Sequence, residues 1–323
     1  MKKLIPPVLI LVLVTLACGQ ATPTPEPVDR EARMPETKYS PEDDFWPPVA
    51  AAGWTQPVPL PYPVNTAGGE DSPFILPDGN TLYFWFTPDV SLPAEQQLGD
   101  GVTGIWVTER MGEGWSEPER VHLIEPGKLG LDGCEFILGE VMYFCTTREG
   151  YTGIEWFRAE LVDGTWQDWR LASDELKQEE YETGELHISA DGQELYFHSS
   201  RAGGFGLRDI WVSYMTSTGW GEPVNLGTTV NTANDEGYPY LSPDGSELWF
   251  TGQSSGGKPG PAVYRSLRQP DGTWGQAQEI INTMAGEPTL SGDGRTLYFM
   301  HAFFTADMSR MLEADIYVSY REE

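Results

Sequence analysis

Basic residues are scarce in this chain. Its 323 residues hold 20 Lys and Arg against 49 Asp and Glu, a formal net charge of −29. Binding to phosphate backbones needs a basic face and is excluded, so no nucleic-acid partner is expected. Docking on anionic lipid through a polybasic patch is excluded for the same reason. Histidine is limited to His122, His187, His198 and His301, which argues against a histidine-rich metal centre. Cysteine is limited to Cys18, Cys134 and Cys145. There is no His-Glu-x-x-His, no phosphate loop and no cluster with zinc-ligand spacing.

Long apolar runs are also missing. Lys2 and Lys3 precede one such run, residues 4–17. It is too short for a bilayer core, which needs roughly 20 helical residues. A charged start followed by a short apolar run reads as an export signal. Its end, Thr15-Leu16-Ala17-Cys18, resembles the lipobox of bacterial lipoproteins, although Thr15 stands where Leu is usual. That resemblance implies acylation of Cys18, which becomes the mature N-terminus. The plainer reading is a cleaved signal with an incidental cysteine. Residues 18–52 are rich in Pro, Thr and Glu, cannot bury a core, and read as a tether.

Turns are abundant, with 36 Gly and 26 Pro, and the chain is 39% hydrophobic and 12% aromatic, enough for a core. One turn-plus-strand unit recurs. Leu76-Pro77-Asp78-Gly79 precedes Leu82-Tyr83-Phe84, and Ser189-Ala190-Asp191-Gly192 precedes Leu195-Tyr196-Phe197. Ser242-Pro243-Asp244-Gly245 precedes Leu248-Trp249-Phe250, and Ser291-Gly292-Asp293-Gly294 precedes Leu297-Tyr298-Phe299. A shortened copy runs from Leu138-Gly139-Glu140 to Met142-Tyr143-Phe144. Alternating strands such as Ile210-Trp211-Val212-Ser213 follow, then a Trp. Trp54, Trp115, Trp166, Trp220 and Trp274 are spaced 61, 51, 54 and 54 residues apart.

A four-stranded unit with a period near 50 residues is the signature of a β-propeller blade. The chain stops after a third strand, and an unaccompanied strand, Trp54-Thr55-Gln56-Pro57-Val58, opens residues 53–323. The expected fold is therefore all-β: a five-bladed propeller closed by the N-terminal strand completing the last blade, which leaves no exposed sheet edge.

The stretch from Ser199-Ser200-Arg201 through Asp209-Ile210-Trp211-Val212-Ser213 and Val230-Asn231-Thr232 to Glu236 resembles the TolB-like, WD40-like β-propeller repeats of bacterial envelope proteins. Weaker copies cover residues 54–323. In that family the repeats mostly build binding or scaffolding platforms. The resemblance is specific for the repeat and leaves function open.

Cys134 and Cys145 face each other if the turn pairs Leu138 with Val141, which allows a disulfide in an exported chain. Two buried thiols are the alternative. Acidic residues enter the first strand of every unit: Glu70 with Asp71, Asp132, Glu185, Asp235 with Glu236, and Glu287. They read as solvated acids, as a site for a hard cation such as Ca2+, or as the carboxylates of a glycosidase. His198 falls opposite Glu185, either as half of a general-base arrangement or as a structural pair. Insertions at residues 87–104 and 303–313 are expected on one face. There Phe303, Phe304, Met308 and Met311 form either an apolar contact patch or a cap on the fifth blade.

The favoured reading is a lipid-anchored extracytoplasmic module, a monomeric domain that binds an envelope protein or a glycan without catalysis and with no cofactor, Ca2+ being the one left open. A carbohydrate-active hydrolase using the channel carboxylates is the alternative. A purely structural envelope scaffold is the third reading.

Overall fold

The computed structural model describes residues 29–181 and 183–322. The signal segment and Cys18 lie outside them. Short strands β1 (Val49–Ala50) and β2 (Val58–Pro59) precede a series of antiparallel meanders. The first is β3 (Gly69–Ile75), β4 (Thr81–Thr87) and β5 (Gly104–Met111), with β6 (Gly114–Trp115) and β7 (Glu119–Arg120) both on β5. Next come β8 (Gly130–Leu138), β9 (Val141–Arg148), β10 (Glu155–Val162) and β11 (Thr165–Leu171). The third is β12 (Leu186–Ile188), β13 (Glu194–Ser199) and β14 (Asp209–Thr216), with β15 (Gly219–Trp220) and β16 (Val224–Asn225) on β14. β17 (Gly237–Leu241), β18 (Glu247–Gln253), β19 (Pro261–Leu267) and β20 (Gln278–Asn282) follow, and β1 adds outside β20. The last is β21 (Ala285–Leu290), β22 (Thr296–Phe304) and β23 (Met311–Tyr320), and β2 pairs with β23. Helix is confined, among the described residues, to Ala94–Gln97, Gln178–Tyr181 and a 3-10 turn at Pro41–Asp43.

The recurring turns have one cause. Gly79, Gly192, Gly245 and Gly294 all sit near φ +70° (72, 71, 71 and 67°), a backbone state that L side chains resist. Beside three of them a serine hydroxyl donates to the turn aspartate: Ser189 to Asp191 and Ser242 to Asp244 at 2.6 Å, Ser291 to Asp293 at 2.7 Å.

The repeated aromatics lock one meander to the next. The middle residue of the aromatic triplet meets the tryptophan of its neighbour edge-on: Tyr83 with Trp166, Tyr196 with Trp274, Trp249 with Trp54, and Tyr298 with Trp115. These tryptophans are buried, and each contact adds about 0.5–1.5 kcal/mol beyond area burial. The first strands touch in a cycle: β3 with β8, β8 with β12, β12 with β17, β17 with β21, and β21 with β3. A parallel bridge, Ala314 to Gly69, joins the last meander to the first.

The segment before the strands is docked from residue 29 onward, well ahead of residue 53. Arg30 is buried, bonds the carbonyls of Val64 and Pro63, and lies 5.0 Å over the Phe86 ring. Lys38 bonds Glu313 and Asp315, and Asp44 bonds the buried His301 at 2.8 Å. The insertion in β22 and β23 forms a cap, not an exposed apolar patch. Phe303 is 1% exposed in the core, against Tyr39 from the docked segment, and Trp46 bonds the carbonyl of Thr305.

Candidate functional site: the carboxylate-lined channel

The first strands carry a common irregularity where they line the cycle. Register slips between Asp71 and Phe74, Gly133 and Phe136, Gly237 and Tyr240, and Gly286 and Thr289. In the third meander, Gly184 N–H donates to His198 O while His198 N–H donates to Glu185 O, so two residues again oppose one. At the bulges Ser72, Cys134, Tyr238 and Glu287 adopt φ values of 47, 53, 55 and 56°. A non-glycine residue in that region costs on the order of 1–3 kcal/mol, and such strain concentrates at functional sites. A bulge also re-aims the side chains beside it.

Asp71, Glu135, Glu185 and Glu287 come near enough to perturb one another as a result. Glu135, Glu185 and Glu287 line an inner chamber of about 60 Å³ with Ser72, Phe74, Phe136, His187 and Tyr240. An outer chamber of about 280 Å³ adjoins it through shared Tyr238 and Glu287, and is lined also by Arg208, Asp235, Gln253 and Met300.

Burial dominates the electrostatics. Desolvation, then the neighbouring Asp71 charge, pushes Glu185 up to about 8. Desolvation, then Asp71 and Glu185, holds Glu287 well above the usual carboxylate range. Glu135 is likewise well above it, through desolvation and then Glu185 and Asp71. Desolvation raises Asp71 too, against the bond from the Ser72 N–H at 2.8 Å. Glu287 and Asp71 perturb each other, with Glu287 taking the upward push. The Ser72 hydroxyl donates to Glu287 at 2.6 Å. His187 is pushed down to about 3 by desolvation and stands neutral.

The expected site residues divide sharply. Glu185 and Glu287 reach the channel. Glu70 instead accepts the Thr66 N–H at 3.0 Å and the Thr66 hydroxyl, and Glu236 accepts the same two groups of Thr232. Asp132 is tied to Thr146 and to Arg148, at 2.7 Å in a buried ion pair. Asp235 pairs with both arms of Arg208, at 2.6 and 2.7 Å. His198 is opposite Glu185 in register, but its ring faces the N–H groups of Glu185 and Tyr238 at 3.4 Å, not a carboxylate. Desolvation, then Arg208, pushes it down to about 3, so it is no general base near neutral pH. Cys134 and Cys145 are joined by a disulfide, although the bulge pairs Cys145 with Gly133 in register.

Sequence reasoning missed Glu135 and gave Asp71 no role of its own. Both sit at the bulge, whose only sequence sign is the aligned run of Asp71-Ser72-Pro73, Cys134-Glu135, Tyr238-Pro239 and Glu287-Pro288. Sequence reasoning also found no nucleophile elbow, whereas Gly252-Gln253-Ser254-Ser255-Gly256 fits that Gly-x-Ser-x-Gly spacing. That stretch joins β18 to β19 instead of turning into a helix. The Ser254 hydroxyl bonds the Pro261 carbonyl and accepts the Thr283 N–H.

No protein-family model matches the chain, and no curated protein matches it in sequence. Solved structures do match. A thermostable family-43 glycoside hydrolase superposes with a TM-score of 0.50 at 14% identity, covering 80% of this chain and 91% of that one. The catalytic domain of the Coprinopsis cinerea GH62 alpha-L-arabinofuranosidase follows at 0.49 and 11%, covering 87% and 98%. A protein assigned as TolB in Agrobacterium tumefaciens gives 0.44 and 16%, covering 80% and 92%. At such identities the first of these establishes fold alone. The chain is an all-β protein with the β-propeller fold.

Proposed function

We propose that this chain is a five-bladed propeller, closed by β2 completing the last blade, that serves as an extracytoplasmic binding module anchored through Cys18. The cycle of first strands and the Trp54–Trp249 contact support the ring. The lipid anchor rests on the sequence around Cys18. It is tested by fatty-acid labelling of the wild type against Cys18→Ser.

One observation carries the binding reading. Strained bulges aim carboxyl groups from several blades into a small chamber that shares Tyr238 and Glu287 with a larger one. A thermal-shift screen of divalent cations, amines, oligosaccharides and cell-wall fragments tests it, because a ligand of the native state raises the melting point. At least one class is expected to raise it in the wild type and to lose its effect in Glu287→Gln. Silence from every class, or a shift that survives the substitution, overturns the site.

A second reading has its own support. Asp71 and Glu287, both raised by burial and perturbing each other, offer an acid and a base, and a glycoside hydrolase is among the proteins of like fold. Fold-level likeness is a weak warrant for chemistry, and the inner chamber is far below the roughly 300–1,000 Å³ of ordinary ligand pockets. Turnover of aryl glycosides by the wild type, lost in both Glu287→Gln and Asp71→Asn, would establish catalysis. No turnover leaves binding alone.

A further inference from the structure

We propose that the inner chamber receives the ammonium head of an amine-bearing ligand, with Glu135 and Glu185 as its carboxylate acceptors. The inference rests on the channel being a binding site and names its ligand class.

Glu135 carries it. The residue is 6% exposed and lines the chamber, yet neither carboxylate oxygen has a hydrogen-bond partner from another residue. Buried polar groups are nearly always paired, and an unpaired carboxylate is among the costliest exceptions. Among the described residues no Lys or Arg lines the chamber to answer it, and the nearby Arg120 donates to the carbonyls of Thr103, Ile105 and Val121 instead. Arg208 stands in the outer chamber, already held by Asp235. Phe74, Phe136, Tyr238 and Tyr240 supply aromatic faces, which attract a desolvated cation.

Size and donor set narrow the cation. The chamber holds roughly four waters by volume, the span of a short alkylammonium head. A hard divalent ion wants six to eight oxygen ligands, and among the described residues no three His, Cys, Asp or Glu side chains are grouped to hold a metal. An ammonium needs three acceptors at most. The remainder of the ligand then occupies the outer chamber past Tyr238 and Glu287. A free alkylamine and a lysine side chain share this chemistry.

Calorimetric titration of the whole chain separates the outcomes. The probes are n-butylammonium, cadaverine and acetyl-lysine amide, with n-butanol and calcium chloride as controls. The amines are expected to bind and butanol to stay silent. Glu135→Gln is expected to weaken amine binding by about tenfold or more, the effect of losing one charged hydrogen bond. Tighter binding of cadaverine than of acetyl-lysine amide identifies a free amine, and the reverse order a lysine side chain. Glu135→Gln keeps the shape of a carboxyl that burial already holds well above the usual range, so it is expected to fold, and Glu185→Gln serves as the second variant. Silence from the amines, or equal binding by both variants and the wild type, overturns the inference. If the amines are silent while another ligand binds the wild type and not Glu287→Gln, the ammonium class falls and the binding site stands. If no ligand binds at all, both fall.

Discussion

Conformational stability between pH 6.5 and 8 exposes the channel carboxyls more cleanly than any other window. Burial, and then Asp71, moves Glu185 from 4.5 to about 8. The native state therefore keeps a proton that the unfolded chain has released. The stability this gives is complete below pH 4.5 and is lost as pH rises through about 8. His187 and His198 act in the opposite direction. Both are held down to about 3, and the unfolded imidazoles are half charged at 6.5, so their cost fades between 6.5 and about 7.5 and returns less than about 1 kcal/mol in all. Glu185 then contributes a fall of about 1.4 kcal/mol per pH unit, or about 2 kcal/mol across the window. The groups around it are Asp71, Glu135, Glu287, His198 and Arg208. Glu135 and Glu287, both raised by desolvation, add to the fall with the same sign. Urea denaturation of the wild type and of Glu185→Gln at half-unit steps measures this directly. The wild type is expected to lose stability from pH 6.5 to 8, and the variant to lose about 2 kcal/mol less. A wild type that is flat or gains stability over the window refutes the reasoning, as does a variant whose curve runs parallel.

Other expectations follow from single contacts. Asn231 accepts the N–H of Ile210 and donates to its carbonyl, which also accepts the Leu226 N–H, so Asn231→Ala strands one buried backbone N–H. It is expected to cost about 1–3 kcal/mol in chemical denaturation. Arg148→Met leaves Asp132 buried and unpaired and is expected to cost about 3–5 kcal/mol. Adding Asp132→Asn is expected to recover part of the loss, a coupling read from the double-mutant cycle. Reducing the disulfide reopens a loop of sequence separation 11 and is expected to cost about 3 kcal/mol. It shows as a lower urea midpoint with reductant than without.

The architecture was legible because its determinants are local. The turn after Asp191 needs glycine's left-handed backbone, and that requirement is written in four residues. The tyrosine of Leu195-Tyr196-Phe197 and the distant Trp274 are each recognisable alone, although their contact is visible only in three dimensions. The site was less legible for two reasons. A bulge of one residue re-aims everything beside it, so strict alternation favoured Asp132 and passed over Glu135. An acidic residue at a strand entry also does not announce its partner. Glu70 and Glu236 are consumed by threonines four residues earlier, a spacing present in both copies and open to reading. Asp132 depends on Arg148 from the neighbouring strand, and its position alone does not signal that. Phe303 was a candidate for an exposed patch because the docking of Tyr39 over it involves a segment far away in sequence.

The central claim is that buried, mutually perturbed carboxyl groups meet in the propeller channel. Carbon-13 NMR titration of the glutamate carboxyls tests it most directly. The account predicts one carboxyl signal that titrates near pH 8 and is missing in Glu185→Gln, and another above the ordinary carboxylate range that is missing in Glu287→Gln. If every glutamate titrates in the ordinary carboxylate range near pH 4–5, the channel is not the desolvated acidic site described, and both the binding reading and its ammonium ligand lose their physical basis.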